Sequence, residues 1–177
     1  MEKFGKSQPV TRREDIRFLT GEGRYVDDIA PANAYQTFVF RSPVAHAVIE
    51  TLDVSEARDA DGVKAVYTCA DLEAAGVQPM ISATLVKNQD GSDGAKTDRH
   101  VLAKGRVRFV GEPVAVVVAE TLAQARDAAE LIVFDYDELP AKMDLVAGGE
   151  VLHDTAPDNV AYDWGMGDKD ATDAAFD

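Results

Sequence analysis

The strongest constraint on the fold comes from residues 107–141, VRFVGEPVAVVVAETLAQARDAAELIVFDYDELPA. The run VAVVVA at 114–119 is apolar at successive positions, which is typical of a central strand covered on both faces. Thr121 and Gln124 form a capping box, so a helix should begin there. The run VFDYDEL at 133–139 predicts a strand that leaves this helix. The stretch therefore predicts strand, helix and strand in immediate succession.

The turn Gly111-Glu112-Pro113 precedes the central strand. Glycine permits a positive φ and proline stiffens the exit, so Glu112 is expected to be displayed between two buried strands. Before the turn, VRFV predicts a strand with Val107 and Phe109 on one face. In the helix that follows, a helical spacing predicts an apolar stripe formed by Leu122, Ala125, Ala129 and Ile132.

Three earlier strands are predicted from their β-branched and aromatic residues, at 35–41, 47–54 and 63–68. Ser55 is expected to cap a short helix after the second of these strands. Thr68, with Asp71 three residues later, indicates a helix after the third. Near the N terminus, Thr11 and Glu14 fit a capping box that opens a further short helix. Helices and strands therefore occur along most of the chain.

Two segments lack a regular pattern. Residues 87–99, KNQDGSDGAKTDR, are rich in turn formers and predict a mobile, solvated surface loop. From Met143 onward, Gly, Pro and Asp break every possible run, which predicts an extended acidic tail with short elements. Trp164, the only tryptophan, lies in this tail and is expected to dock on a surface.

The charge distribution restricts the partners. The net charge is −14, and residues 135–177 hold two lysines and twelve acidic side chains. Such a field opposes nucleic acid, because phosphate contacts need basic surface. No apolar stretch approaches the roughly 20 residues that cross a bilayer, and the N terminus lacks the apolar segment of a secretory signal. We therefore expect a cytoplasmic protein with no membrane insertion and no nucleic-acid partner.

The residues alone indicate no reaction. The single cysteine, Cys69, is predicted to be a buried thiol, and one cysteine cannot form a metal cage by itself. The histidines, His46, His100 and His153, have no spacing that brings them together into a triad or a metal site. The adjacent carboxylates are common in acidic surfaces and usually inert; these are Asp27, Asp28, Asp135 and Asp137.

Five segments nevertheless resemble successive landmarks of a known domain. The domain is the N-terminal α/β-hammerhead of the large, molybdopterin-binding subunit in the xanthine dehydrogenase, aldehyde oxidase and carbon monoxide dehydrogenase family. The nearest branch resembles the bacterial three-subunit carbon monoxide dehydrogenase and aldehyde oxidase type. The segments, in chain order, are TGEGRYVDDI (20–29), FVFRSPVAHAVI (38–49), VRFVGEPVAVVVAET (107–121), ARDAAELIVFDYDELPA (125–141) and HDTAPDNVAYDWGMGD (153–168).

The resemblance implies an α+β fold, with a mixed sheet and a few short helices packed on it. It divides the chain into an N-terminal arm (1–30), the hammerhead domain (31–142) and an acidic tail (143–177) leading toward molybdopterin-binding domains. A molybdenum-pterin centre would reside elsewhere in the full subunit, with [2Fe-2S] clusters and FAD on partner subunits. The family's cofactor motifs and its glutamate base have no match in this chain. It is therefore expected to hold no cofactor, metal or catalytic residue and to be catalytically silent alone.

The resemblance also implies contacts with the remaining domains of the large subunit and with the iron–sulfur and FAD subunits. The residues expected at such interfaces are Arg12, Arg13, Arg24, Tyr25, His46, Gly111, Glu112, Pro113 and Trp164. The family often has His and Arg where this chain has Val44 and Val48, so contacts of those side chains do not carry over. Carbon monoxide, aldehydes and N-heterocycles all remain open as substrates.

Two further hypotheses remain at this point. The chain could be an independent acidic module that binds a small ligand or a protein, or, with less support, a standalone enzyme. A hammerhead separated from its neighbours would expose apolar surface that they normally cover, which predicts self-association of the isolated domain.

Overall fold

A computed structural model describes residues 12–29, 31–80 and 86–176. The chain divides after Ala34 into two compact units. The first unit holds helix α1 (Asp15–Leu19) and a 3-10 turn (Val26–Asp28). The rings of Phe18 and Tyr25 stack with their centroids 5.7 Å apart. Thr11 lies outside the described residues, so its predicted capping box with Glu14 is not described; Glu14 flanks the helix without a side-chain cap.

The second unit contains six strands and four helices within its described residues. In chain order they are β1 (Gln36–Arg41), β2 (Ala47–Asp53), α2 (Ser55–Asp59), β3 (Val63–Tyr67), α3 (Cys69–Ala74), β4 (Arg106–Val107), β5 (Pro113–Ala119), α4 (Leu122–Glu130), β6 (Val133–Glu138) and α5 (Lys169–Phe176). The α+β class and most predicted elements are therefore confirmed.

The strands form two three-stranded sheets, with orders β1-β5-β3 and β4-β2-β6. Every pair of neighbours is antiparallel, so the expected mixed sheet is corrected to two antiparallel ones. Antiparallel strands need no helical crossover to connect them, so the helices are not required to cover both faces of a sheet. β5 is the central strand of the first sheet, as predicted for the VAVVVA run.

β5 contributes residues to two cores, mostly to the first of them. Ala115 and Val117 pack with the buried alanines of α4, whereas Val114 joins Ala47 and Val107 in a second cluster. Val116 and Val118 belong to neither core and are half-buried, so coverage on both faces, as the apolar run predicted, is complete only at the start of the strand.

The capping box of α4 is confirmed. The Gln124 amide donates to Thr121 Oγ1 at 3.2 Å, and the Thr121 amide donates to Gln124 Oε1 at 3.1 Å. The predicted stripe needs one correction, because Leu122 is 39% exposed and Ala128 is buried instead. Leu122 is the first residue of the helix and lies beyond the edge of the packed face.

Two other predicted helix starts have different outcomes. At α3, the Thr68 amide and hydroxyl both donate to Asp71 Oδ2 at 2.7 Å, which confirms that start. At α2, Ser55 is already helical and provides no cap. Its amide instead donates to Asp53 Oδ1 at 2.9 Å, so the aspartate two residues earlier satisfies the orphan donor.

The predicted VRFV strand is wrong beyond Val107. Only Arg106 and Val107 form β4, and Phe109 is 44% exposed. The Arg108 amide donates to Glu112 Oε2 at 2.5 Å, and the Glu112 amide donates to the Phe109 carbonyl at 3.2 Å. These bonds close a turn, so the strand ends where the backbone donor is taken by a side chain.

The polar segment 87–99 is mostly exposed and lies outside the named helices and strands, as expected of a surface loop, and it is also hydrogen-bonded to the tail. The Gln89 amide donates to the Asp163 carbonyl at 2.8 Å, and the Ala95 amide donates to the Ala161 carbonyl at 2.7 Å. Gly94 is buried in this contact. Side chains add to the contact: Gln89 Nε2 donates to Asp163 Oδ1 at 2.9 Å, and the Asp163 backbone amide donates to Asn88 Oδ1 at 2.8 Å. These partners are far apart in sequence, so no local pattern could predict the contact. None of the helices within residues 12–29, 31–80 and 86–176 is long and apolar enough to span a membrane.

Candidate functional site

The Gly111-Glu112-Pro113 turn is held by the end of β1. The Gly111 amide donates to the Ser42 carbonyl at 2.8 Å, and the Ser42 amide donates to the Glu112 carbonyl at 2.9 Å. Arg41 donates to the Gly111 carbonyl at 2.8 Å. Gly111 has a φ of +84°, so glycine is required here as the sequence indicated. The turn is thus a fixed corner joining β1 to the start of β5.

Glu112 is half-buried, and its carboxylate accepts the Arg108 amide described above. This intramolecular bond gives the side chain a role in shaping the turn. Pro113, also half-buried, begins β5 opposite Arg41. The interface role predicted for these residues remains a prediction.

A cleft of about 410 Å³ lies beside this turn. It is lined by two neighbouring segments, 97–104 and 108–112, together with Met80 and His153, which are distant from them in sequence. His100 and His153 both line it, although their spacing had indicated no meeting. The remaining lining residues are Met80, Thr97, Asp98, Arg99, Ala103, Lys104, Arg108, Phe109 and Glu112.

Burial lowers the pKa of two side chains that line the cleft, His153 and Arg108. Desolvation, reinforced by the positive charge of Arg108, lowers the pKa of His153 below its ordinary value of 6.5. Desolvation likewise lowers the pKa of Arg108, partly offset by the carboxylate of Glu112. Arg108 is anchored by its Nε, which donates to the Leu152 carbonyl at 2.7 Å. The cleft therefore favours the neutral form of the His153 imidazole, next to an Arg108 guanidinium that is hydrogen-bonded to the Leu152 carbonyl.

A second cluster adjoins the cleft through His100. Cys69 Sγ lies 3.7 Å from His100 Nδ1, and one carboxylate oxygen of Glu73 completes a set of ligand atoms lying within 4.8 Å of one another. Cys69 is 7% exposed, which confirms the predicted buried thiol. Burial raises the pKa of that thiol, and the charge of Glu73 acts in the same direction. The sequence contained only part of the signal, a Cys and a Glu four residues apart on a helix.

The one histidine predicted at an interface, His46, lies inside the second unit. His46 is 1% exposed, and its Nδ1 is 2.9 Å from the Pro140 carbonyl. The Leu139 amide donates to the His46 carbonyl at 2.8 Å, so this residue ties the start of β2 to the end of β6. Within the described residues, its Nε2 has no hydrogen-bond partner.

The remaining residues predicted at interfaces are exposed. Arg12, Arg13, Arg24 and Tyr25 all belong to the first unit. Trp164 belongs to the second unit and is 56% exposed. The acidic pairs differ in their settings: Asp28 accepts the Tyr25 amide at 2.8 Å, whereas Asp135 and Asp137 lie exposed along β6.

The fixed turn connects β4 of one antiparallel sheet to β5 of the other along the chain. Two such sheets with short helices define an α+β domain of the hammerhead type. The family model described as "Aldehyde oxidase and xanthine dehydrogenase, a/b hammerhead domain" matches residues 20–140. The chain therefore belongs to this family, which confirms the resemblance seen in the sequence.

Relatives identify the kind of protein that contains such a domain. The nicotine 6-hydroxylase large subunit of Paenarthrobacter nicotinovorans is 39% identical over 85% of this chain and 18% of its own length. The carbon monoxide dehydrogenase large chain of Afipia carboxidovorans is 37% identical over 93% of this chain and 21% of its own length. The chain thus spans about a fifth of the relatives it matches and corresponds to a domain of molybdenum hydroxylase large subunits.

Solved structures agree with this assignment. A Cu,Mo-CO dehydrogenase has a TM-score of 0.72 at 34% identity, covering 94% of this chain and 22% of that one. Quinoline 2-oxidoreductase from Pseudomonas putida 86 has a TM-score of 0.66 at 41% identity, covering 80% of this chain and 16% of that one. The independent acidic binding module gains no support from these relatives.

Proposed function

We propose that this chain is a scaffold and interface domain of a molybdenum hydroxylase large subunit, catalytically silent alone. The observation that carries the proposal is an exposed apolar segment directly after the hammerhead strands. Met143, Leu145 and Val146 are all strongly exposed, although they follow a well-packed unit. Exposed apolar side chains concentrated in one short segment are typical of a surface that another domain covers.

A second exposed pair lies beside the fixed turn. Phe109 and Val110 are both exposed, and the turn behind them is held by Ser42 and Arg41. Rigid presentation of apolar side chains lowers the ordering cost of forming a contact. We therefore propose that the corner at Gly111, Glu112 and Pro113 faces the rest of the subunit or the iron–sulfur partner, with Glu112 holding its shape.

The exposed residues of the first unit and the tail extend this proposal. Arg12, Arg13, Arg24, Tyr25 and Trp164 offer cationic and aromatic side chains, which are enriched at protein interfaces. His46 is assigned instead to packing between β2 and β6, because it is buried within the unit.

The molybdenum-pterin group is proposed to be held by other parts of the subunit, with [2Fe-2S] and FAD on partner subunits. The cleft described above does not fit an anionic cofactor. Lys104 is paired with Glu73 at 2.6 Å, and the Nε of Arg108 is bound to a carbonyl. The carboxylates of Asp98 and Glu112 line the same space. We therefore assign this cleft no part in holding the cofactor. The cytoplasmic location stays a prediction.

The test uses the complete reading frame that contains this chain, expressed with its neighbouring genes. Leu145→Asp and Phe109→Asp should each reduce recovery of the assembled complex on size-exclusion chromatography, with a parallel loss of molybdenum per polypeptide. Val77→Asp, an exposed apolar position distant in sequence from both segments, is the control. Full assembly and full molybdenum content in both test variants would contradict the interface role.

A second arm tests catalytic silence. Molybdenum, iron and FAD are measured in the purified complex and in the 177-residue chain prepared beside it. We expect all three in the complex and none in the chain alone. Molybdenum bound to the chain alone would overturn the scaffold proposal.

A further inference from the structure

The chain carries a compact set of metal-ligand atoms unrelated to the proposed interface. Cys69 Sγ and His100 Nδ1 are 3.7 Å apart. In a tetrahedral zinc site, bond lengths of about 2.3 Å to sulfur and about 2.0 Å to nitrogen place those two atoms roughly 3.5 Å apart. A carboxylate oxygen of Glu73, the Cys69 sulfur and a ring nitrogen of His100 all lie within 4.8 Å of one another. We propose that Cys69, Glu73 and His100 form a binding site for a thiophilic divalent cation, Zn²⁺ in particular.

The backbone holds both sides of this site in place. Cys69 and Glu73 are four residues apart on α3, so their side chains project from one face of that helix. The helix is fixed by its cap and by Arg58, which donates to Asp71 Oδ2 at 2.9 Å. A site held on a packed helix loses little entropy when a metal binds.

His100 comes from a segment anchored at both ends. The Met80 amide donates to the Arg99 carbonyl at 2.8 Å, and the Ala103 amide donates to the Pro113 carbonyl at 2.7 Å. Leu102, between His100 and Ala103, is buried. The imidazole is thus supplied by a backbone that β5 holds, without dependence on a free loop.

The ligand types select the metal. A thiolate with an imidazole suits Zn²⁺ and disfavours Mg²⁺ and Ca²⁺, which prefer oxygen donors. Binding forms a metal–sulfur bond and releases the thiol proton to the solvent, with no change in oxidation state. Three protein ligands leave a fourth position for water, and the half-buried His100 lies on the wall of the cleft.

Lys104 competes with the cation. Its Nζ is 2.6 Å from Glu73 Oε1, and its side chain is half exposed and can move into solvent. A metal must share or displace this ammonium group, which lowers the affinity for the metal. The arrangement therefore predicts that removing the lysine charge tightens binding, whereas removing a ligand weakens it.

The experiment titrates the metal-stripped 177-residue chain with Zn²⁺ in competition with a chromophoric chelator, and with Co²⁺ as a spectroscopic probe. We expect one ion per chain and a near-ultraviolet thiolate-to-cobalt charge-transfer band. Cys69→Ser and His100→Gln should each weaken Zn²⁺ binding by at least about 100-fold, because loss of a group that only supports a ligand already costs about 10–100-fold. Lys104→Gln should tighten it up to about fivefold, as for an exposed ion pair. His153→Gln, which lines the cleft outside the ligand set, is the matched control and should change nothing.

A measurement on the unmutated chain guards against variants that fail to fold. Zn²⁺ should slow alkylation of Cys69 by a maleimide, and Mg²⁺ at the same concentration should not. Zn²⁺ binding that leaves the alkylation rate unchanged, or that persists in folded Cys69→Ser, would overturn the proposal. Its failure would leave the scaffold function intact, because the interface argument rests on the exposed apolar side chains at 109–110 and 143–146 and not on these three ligands.

Discussion

The side chains of the cleft show how burial changes chemistry at single positions. Arg108 bonds through its backbone amide to Glu112 and through its Nε to the Leu152 carbonyl. One residue therefore links the fixed turn to the segment that carries His153. The proximity of that guanidinium and the loss of water both disfavour a proton on the imidazole.

His153 should make stability depend on pH. Its folded pKa lies below its unfolded value of 6.5, so the unfolded chain binds the proton more readily. The stabilising contribution is complete above pH 6.5 and is lost as the pH falls below it. We expect the free energy of unfolding, from urea denaturation, to decrease between pH 7.5 and 5.5. The charged groups that act on this imidazole are Asp98, Arg106, Arg108 and Asp154.

His153→Gln provides the comparison, since glutamine does not titrate in this range. Its free energy of unfolding should vary less over the same interval than that of the unmodified chain. His100→Gln serves as the histidine control. Identical pH profiles for the His153 variant and the unmodified chain would show that burial of this imidazole has no effect on stability.

The sequence predicted local features, such as helix caps, better than it predicted contacts between residues that are distant in sequence. Thr121 and Gln124 are three positions apart, so their capping box follows from sequence and is present. Burial of Cys69 also follows from residue type. His100 and His153 line the same cleft on irregular segments whose paths depend on backbone hydrogen bonds, and no periodicity encodes such paths. For that reason, the sequence alone did not predict the cleft.

Among the elements, β5 organises the second unit. It contributes Ala115, Val117 and Ala119 to one core and Val114 to the other, and both β1 and β3 pair with it. A continuous apolar run identified this strand from sequence. The same reasoning failed for VRFV, where Val107 is buried but Phe109 turns outward. Apolar alternation cannot reveal that Glu112 accepts the Arg108 amide and ends the strand.

The pairing between segment 87–99 and the tail depends on a glycine. A Cβ added at Gly94 would lie 2.9 Å from the Ala161 carbonyl oxygen and 3.1 Å from Tyr162 Cβ. Both neighbours are close to the backbone and cannot rotate away. Gly94→Ala should therefore destabilise the chain by about 1–3 kcal/mol, the usual cost of overpacking. Hydrogen exchange should also speed up at the amides of Gln89 and Ala95, which bond to the tail.

Lys96→Ala is the control for this element. The Lys96 side chain is exposed, and its carbonyl still accepts the Thr155 hydroxyl after the substitution. Its stability and its exchange rates should match those of the unmodified chain. Unchanged protection of Gln89 and Ala95 in Gly94→Ala would mean that the two segments are not packed as described.

At the scale of the whole molecule, the edge strand β6 is acidic, whereas the exposed segment 143–146 that follows it is mostly apolar. β6 lies at the edge of its sheet and carries Asp135, Asp137 and Glu138. Acidic side chains along an edge strand oppose pairing with another chain. The segment 143–146 follows directly and presents Met143, Leu145 and Val146 to solvent. Contacts with other molecules should therefore use this segment in preference to the strand edge.

The isolated 177-residue chain should self-associate through that segment. Leu145 is fully exposed, and burying apolar surface against a second copy is favourable even with a net charge of −14, which salt screens. In sedimentation velocity at physiological salt, the weight-average coefficient should rise with concentration. Leu145→Asp should reduce that rise, whereas Val77→Asp, the exposed control, should not. A single monomeric boundary for the unmodified chain at every concentration would contradict the expectation. Equal association of both variants would place the contact on another surface.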